Sequence, residues 1–203
     1  MPRTLGNDAL AHLSFMHAAC NMETHMWIQN DQDHPFVDPS ARVASTAVIS
    51  GDVHIGANCS IGHGAVLISE GGPIRIGDNC VIMDTAVIRG VPGHVTQIGS
   101  CVLVGPHAYL VGCSVEDEVF IATGAAVFNG AILRRGSEVR IHAVVHIRTE
   151  LAAHATVPIG WVAVGTPAQI FLLGITKGSG PFRSRSTSRV TCSTRNVPRR
   201  GNP

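Results

Sequence analysis

Through the middle of the chain, every sixth residue is a branched aliphatic. From Val37 the series runs through Val43, Ile49, Ile55, Ile61 and Leu67, then resumes after three extra residues at Ile76, Ile82 and Ile88. Four further residues precede Ile98, Val104 and Leu110, and one five-residue step leads on to Val115, Ile121, Val127, Leu133, Val139, Val145, Leu151 and Val157. Four residues after most of these anchors stands a small or short side chain, among them Ala47, Cys59, Ala65, Cys80, Ala86, Ala108, Ser114, Ala125, Ala131 and Ala143. Glycine follows the anchor directly at Gly56, Gly62, Gly77, Gly99 and Gly105. The pattern predicts a short strand and a tight corner, repeated. The anchor points into a narrow prism, and the small residue fills the corner where backbone crowds the axis. Three hexapeptides make one triangular coil. Coils stack at about 4.7–4.9 Å, and the repeat from Val37 onward supplies about seven of them. The extra residues leave the stack as loops over 70–75 and 90–97.

A stack of coils must hide its ends. A helical pattern over 8–22, within residues 1–35, suits an N-terminal cap or extension. At the far end, Val162 to Ala168 closes the repeat, with Pro167 stopping the strand ladder. The solenoid is therefore expected over 36–168, followed by an extension over 169–203. From 174 onward that extension carries Lys177, Arg183, Arg185, Arg189, Arg195, Arg199 and Arg200 without one Asp or Glu. Such a segment lacks the apolar surface to order itself. It reads as an arm for nucleic acid or an anionic surface, or as a disordered extension. The second reading is preferred, so nucleic acid is not an expected partner.

Composition agrees with a slender core. Hydrophobic residues make up 45% and aromatics only 4%, so small and β-branched side chains must pack it, which requires regular, closely spaced layers. No apolar run is long enough to cross a bilayer as a helix. Asp8 and His12 interrupt the stretch that a signal peptide would need. A cytoplasmic location without a membrane partner is the expectation. The six cysteines, Cys20, Cys59, Cys80, Cys101, Cys113 and Cys192, contain no C-x-x-C pair, which argues against a zinc knuckle or a thioredoxin-type site. Most fall at small inward positions and read as buried free thiols.

The repeat, the insertion Glu70-Gly71-Gly72-Pro73-Ile74-Arg75-Ile76-Gly77 and the run from Val104 to Cys113 resemble the γ-class carbonic anhydrases and their relatives. The resemblance covers residues 37 to about 168. It implies a left-handed parallel β-helix and a homotrimer with sites between protomers. It also implies a zinc or iron ion held by three histidines, two from one protomer and one from its neighbour. Those histidines fall at Arg89, Pro106 and Val111, and none is conserved as histidine in this chain. The family's arginine before the site falls at Ile68, its carboxylate partner at Glu70, and the amide pair near the metal at Val81 and Met83; only Asp84 is retained. A guanidinium, a proline and an alkyl group are not zinc donors, which counts against hydration of carbon dioxide by zinc hydroxide.

Anchors on one face recur every third hexapeptide. Leu67, Ile88, Leu110, Val127 and Val145 should therefore stack, with Ile68, Arg89, Val111, Phe128 and His146 as an outward ladder beside them. The preceding corner reads Gly64, Thr85, His107, Gly124 and His142. His107 and His142 then lie two coils apart, about 9–10 Å, too far to share one ion at bonds of about 2.0–2.1 Å within a chain. A trimer could bring His107 of one chain to His142 or His146 of another. These three histidines are the candidate metal ligands. Arg89, Glu70 and Asp84 are the candidate catalytic residues, with Arg89 suited to bicarbonate or a carboxylate as the small-molecule substrate. The ordinary readings stand beside them: surface histidines, an Arg89 salt bridge to Glu70 or Asp84, and apolar protomer contact through Val111 and Phe128. Three functions follow. The preferred one is a γ-carbonic-anhydrase-like trimer with a diverged or lost metal site. The others are a hexapeptide acyltransferase using acetyl-coenzyme A, with His94 as the base, and a non-catalytic trimeric scaffold.

Overall fold

The computed structural model describes residues 26–28 and 34–172. The helical pattern over 8–22 and the extension beyond 172 lie outside the described residues. Strands of two to four residues wind into an all-β, left-handed parallel β-helix of about seven coils. Three sheets run along its axis, one of nine strands and two of seven. The nine-stranded sheet takes in Met26–Ile28, Val48–Ser50, Val66–Ser69, Val87–Gly90, Tyr109–Val111, Ala126–Val127, Val144–Val145, Trp161–Val164 and Gln169–Leu172.

Its pairing follows the repeat rung by rung. Ile49, Leu67, Ile88, Leu110, Val127, Val145 and Ala163 form one continuous column. Eighteen of the twenty anchors are at most 5% exposed, while Val37 and Val43 in the first described coil are half-buried. Each fully buried Ile, Val or Leu is worth about 1.5–3 kcal/mol against exposure, and every column is continuous, so the prism forms one core. The smaller inward residue lies two positions before the next anchor. After the five-residue step that residue is therefore Cys113, which is 1% exposed, and Ser114 turns outward.

The corners differ from the sequence reading in their chemistry. The left-handed backbone falls on the third residue after the anchor, not on the glycine that follows it directly. Asn58, Asn79, Thr85, Cys101, His107, Glu118, His142, Arg148 and His154 all have φ between 52° and 59°. A non-glycine residue there costs about 1 kcal/mol or more, and the inter-coil ladder holds it in place. The glycine beside the anchor is required for space. A Cβ on Gly62 would lie 2.7 Å from the Asp84 amide nitrogen, and one on Gly99 would lie 2.8 Å from that of Asp117.

The loops are shorter than their sequence spans. Ile74–Ile76 and Thr96–Ile98 are strands, and Ile74 and Thr96 are wholly buried, so only the residues between them and the preceding strands leave the stack. The far end also differs. Pro167 sits in a turn between Trp161–Val164 and Gln169–Leu172, which pair antiparallel and carry the sheet four residues past 168. A proline there gives up no ladder hydrogen bond, so it redirects the chain instead of ending the sheet.

Candidate functional site

The candidate residues lie on the outer face of the nine-stranded sheet and on the corner leading into it. Strand pairing sets Arg89 between Ile68 and Val111, and Val87 between Val66 and Tyr109. Further along come Ala126 beside Tyr109 and Val144 beside Ala126. Tyr109 and Phe128 meet with ring centroids 6.1 Å apart. The face is thus largely apolar, with one guanidinium set into it. Val111, expected as an exposed contact, is only 6% exposed within its own chain.

Arg89 forms an ion pair with Glu70, whose amide hydrogen-bonds to the Gly90 carbonyl one coil on. Glu70, and then the Tyr109 hydroxyl, hold the guanidinium above the ordinary arginine value. Thr96 ties down the same segment from inside. Its hydroxyl donates to the Arg89 carbonyl at 2.6 Å and accepts the Gly112 amide at 2.9 Å. His94 closes the neighbouring turn, its amide donating to the Val91 carbonyl at 3.0 Å.

Asp84 is occupied by the fold. Its carboxylate accepts the His63 amide at 2.7 Å, as Asp78 accepts that of Ala57 and Asp117 that of Ser100. The repeated arrangement braces one corner against the next. His107 carries more specific information. The Thr85 hydroxyl donates its proton to the Asp84 carbonyl at 2.6 Å, and His107 Nδ1 lies 2.7 Å from the Thr85 hydroxyl oxygen. A hydroxyl has one proton to give. Nδ1 must therefore be the donor, which leaves Nε2 unprotonated in the neutral ring.

His142 packs its ring over Gly124, and His146 is exposed. Gly124 bonds to the coil of His107 and His142 to the coil of Gly124, so the two histidines stand two coils apart, about 9–10 Å. Among the described residues, no three His, Cys, Asp or Glu side chains converge within one chain. Sequence reasoning placed Thr85 under His107 but did not assign it a task. It also did not foresee Tyr109 and Thr96 as supports for Arg89.

No family model matches the chain. Curated proteins of Arabidopsis thaliana do. Gamma carbonic anhydrase 1, mitochondrial, is 34% identical over 177 residues, covering 84% of this chain and 62% of that protein. Gamma carbonic anhydrase 2, mitochondrial, is 32% identical over 158 residues, covering 73% of this chain and 54% of that protein. Over the matched stretch the chain is similar to γ-class carbonic anhydrases. It spans less than two thirds of the length of these relatives. Among solved structures, a proposed acetyltransferase from Bacillus cereus superposes with a TM-score of 0.53 at 23% identity, covering 72% of this chain and 83% of that one. At that identity it attests the shared fold.

The residues of this chain can be tested against the metal that the resemblance implies. The resemblance puts the three ligand positions at Arg89, Pro106 and Val111. Arg89 is a paired cation, Pro106 has no side-chain donor, and Val111 is a buried alkyl group. These residues do not fit zinc or iron. Among the described residues, no helix is long and apolar enough to cross a membrane.

Proposed function

We propose that this chain is the subunit of a γ-carbonic-anhydrase-like homotrimer whose metal position has lost its donors, so that it acts as a non-catalytic scaffold. The observation that carries this reading is Arg89. Where the resemblance places a neutral imidazole, the chain has a guanidinium paired with Glu70. A positive charge there repels a divalent cation. The half-buried apolar face of Val66, Val87, Tyr109, Ala126 and Phe128 supports assembly, since apolar side chains in register that keep part of their surface open mark an interface. Metal analysis of the purified protein, with a carbon dioxide hydration assay and light scattering, tests it. A trimer with less than about a tenth of an equivalent of metal and no hydration activity is expected. Stoichiometric zinc or iron, or a monomer at micromolar concentration, would overturn it.

One observation favours a second reading, a metal shared between protomers through His107 with His142 or His146. Thr85 fixes His107 in the tautomer whose Nε2 can bind a metal. Replacing His107 with Ala would then abolish metal retention and leave the trimer intact. The relatives' names carry a mitochondrial location; cell fractionation distinguishes that from a cytoplasmic one for this chain.

A further inference from the structure

We infer that Cys59 and Cys80 together form a two-thiolate site for a soft, two-coordinate d10 cation of the Cu(I) class. Both are free and at most 1% exposed. They occupy the same inward place in successive coils. The register of Ser60 with Val81 sets them side by side, and the Ser60 amide bonds to the Cys80 carbonyl at 2.9 Å. Their thiols are oriented alike, Cys59 donating to the Gly77 carbonyl at 3.1 Å and Cys80 to the Gly99 carbonyl at 3.0 Å. The two sulfurs are therefore related by one coil step of about 4.7–4.9 Å.

That spacing discriminates between the chemistries open to two thiols. A disulfide needs its Cβ atoms about 3.5–4.5 Å apart. Closing it would draw two coils together against a ladder that already holds them in place. Two metal–thiolate bonds of about 2.3 Å set in line span about 4.6 Å, and the coils need not move. Soft thiolates select Cu(I) among the common ions. A four-coordinate ion is excluded because no third or fourth His, Cys, Asp or Glu joins the pair among the described residues. On binding, two sulfur–metal bonds form, two thiol protons pass to solvent, and no oxidation state changes. The resulting negative charge lies one residue beneath the exposed corner formed by Asn58 and Asn79.

The test uses the full-length chain with Cys20, Cys101 and Cys192 replaced by Ser, titrated anaerobically with Cu(I) against a chromophoric chelator. One copper per chain is expected. Cys59→Ala and Cys80→Ala should each weaken binding by roughly two orders of magnitude, and Cys113→Ala should leave it unchanged. Alanine is compatible with these positions because Ala65, Ala86 and Ala108 fill equivalent ones, and circular dichroism checks that the fold persists. Copper uptake that survives Cys59→Ala, uptake lost with Cys113→Ala, or no uptake by the folded parent would overturn the assignment. Loss of two hydrogens by mass, marking a disulfide between the pair, would overturn it as well.

Discussion

Thr96 and Gly112 are joined through a wholly buried hydroxyl, which accepts the Gly112 amide and donates to the carbonyl of Arg89. The strand Thr96–Ile98 is thereby tied to the end of Val87–Gly90 and to the corner after Tyr109–Val111. Thr96→Val keeps the shape and removes both bonds, leaving the Gly112 amide and the Arg89 carbonyl with their longer bond to each other at 3.2 Å. It should cost about 1–3 kcal/mol, measured by denaturant unfolding. A wild-type midpoint would show that this link carries no stability.

Ser137 presents the opposite case. Its hydroxyl is fully buried and has no hydrogen-bond partner. Alanine fills equivalent positions elsewhere, so Ser137→Ala should stabilise the chain by about 0.5–1 kcal/mol. For a chain of this size that raises the melting temperature by a few degrees. A fall in a thermal scan would point to a partner for the hydroxyl.

Ala125 lies in the tight inner column and is 0% exposed, whereas its neighbour Ala126 faces outward. Ala125→Leu should overpack the corner and cost about 1–3 kcal/mol. Ala126→Leu should cost much less. Equal effects in chemical denaturation would count against the register.

Asp52 receives two hydrogen bonds from the Arg75 guanidinium, at 2.7 and 2.9 Å. Arg75 holds the Asp52 carboxyl below its ordinary value, against a smaller opposing effect of burial. A carboxyl depressed by folding stabilises the native state above its unfolded value, about 3.9. That contribution is lost as pH falls through the depressed folded value. Asp52→Asn should therefore lower stability near neutral pH and flatten its dependence below about pH 4. An unchanged acid limb would assign acid sensitivity to other carboxylates.

The prism was legible in the sequence because its stabilisation is local and repeated. Each anchor needs only its neighbours one coil above and below, so a period of six along the chain becomes a column in space. Leu67, Ile88 and Leu110 could be stacked by counting, and so could Arg89 beside Val111 and His107 above Thr85.

What only the tertiary structure decided lies where contacts are steric or depend on a proton. Counting assigned the inward place to Ser114, but the corner turned Cys113 inward because the short step removes a residue before it. The glycines beside the anchors looked like turn residues, yet the approach of the next coil requires them, and the left-handed backbone lies two positions later. Pro167 read as a stop, but the antiparallel strand after it could be seen only once Trp161–Val164 offered an open edge. The direction of the His107 proton followed from the single proton of the Thr85 hydroxyl. A repeat period specifies which residues share a column, whereas close packing and hydrogen-bond geometry determine what each side chain does there.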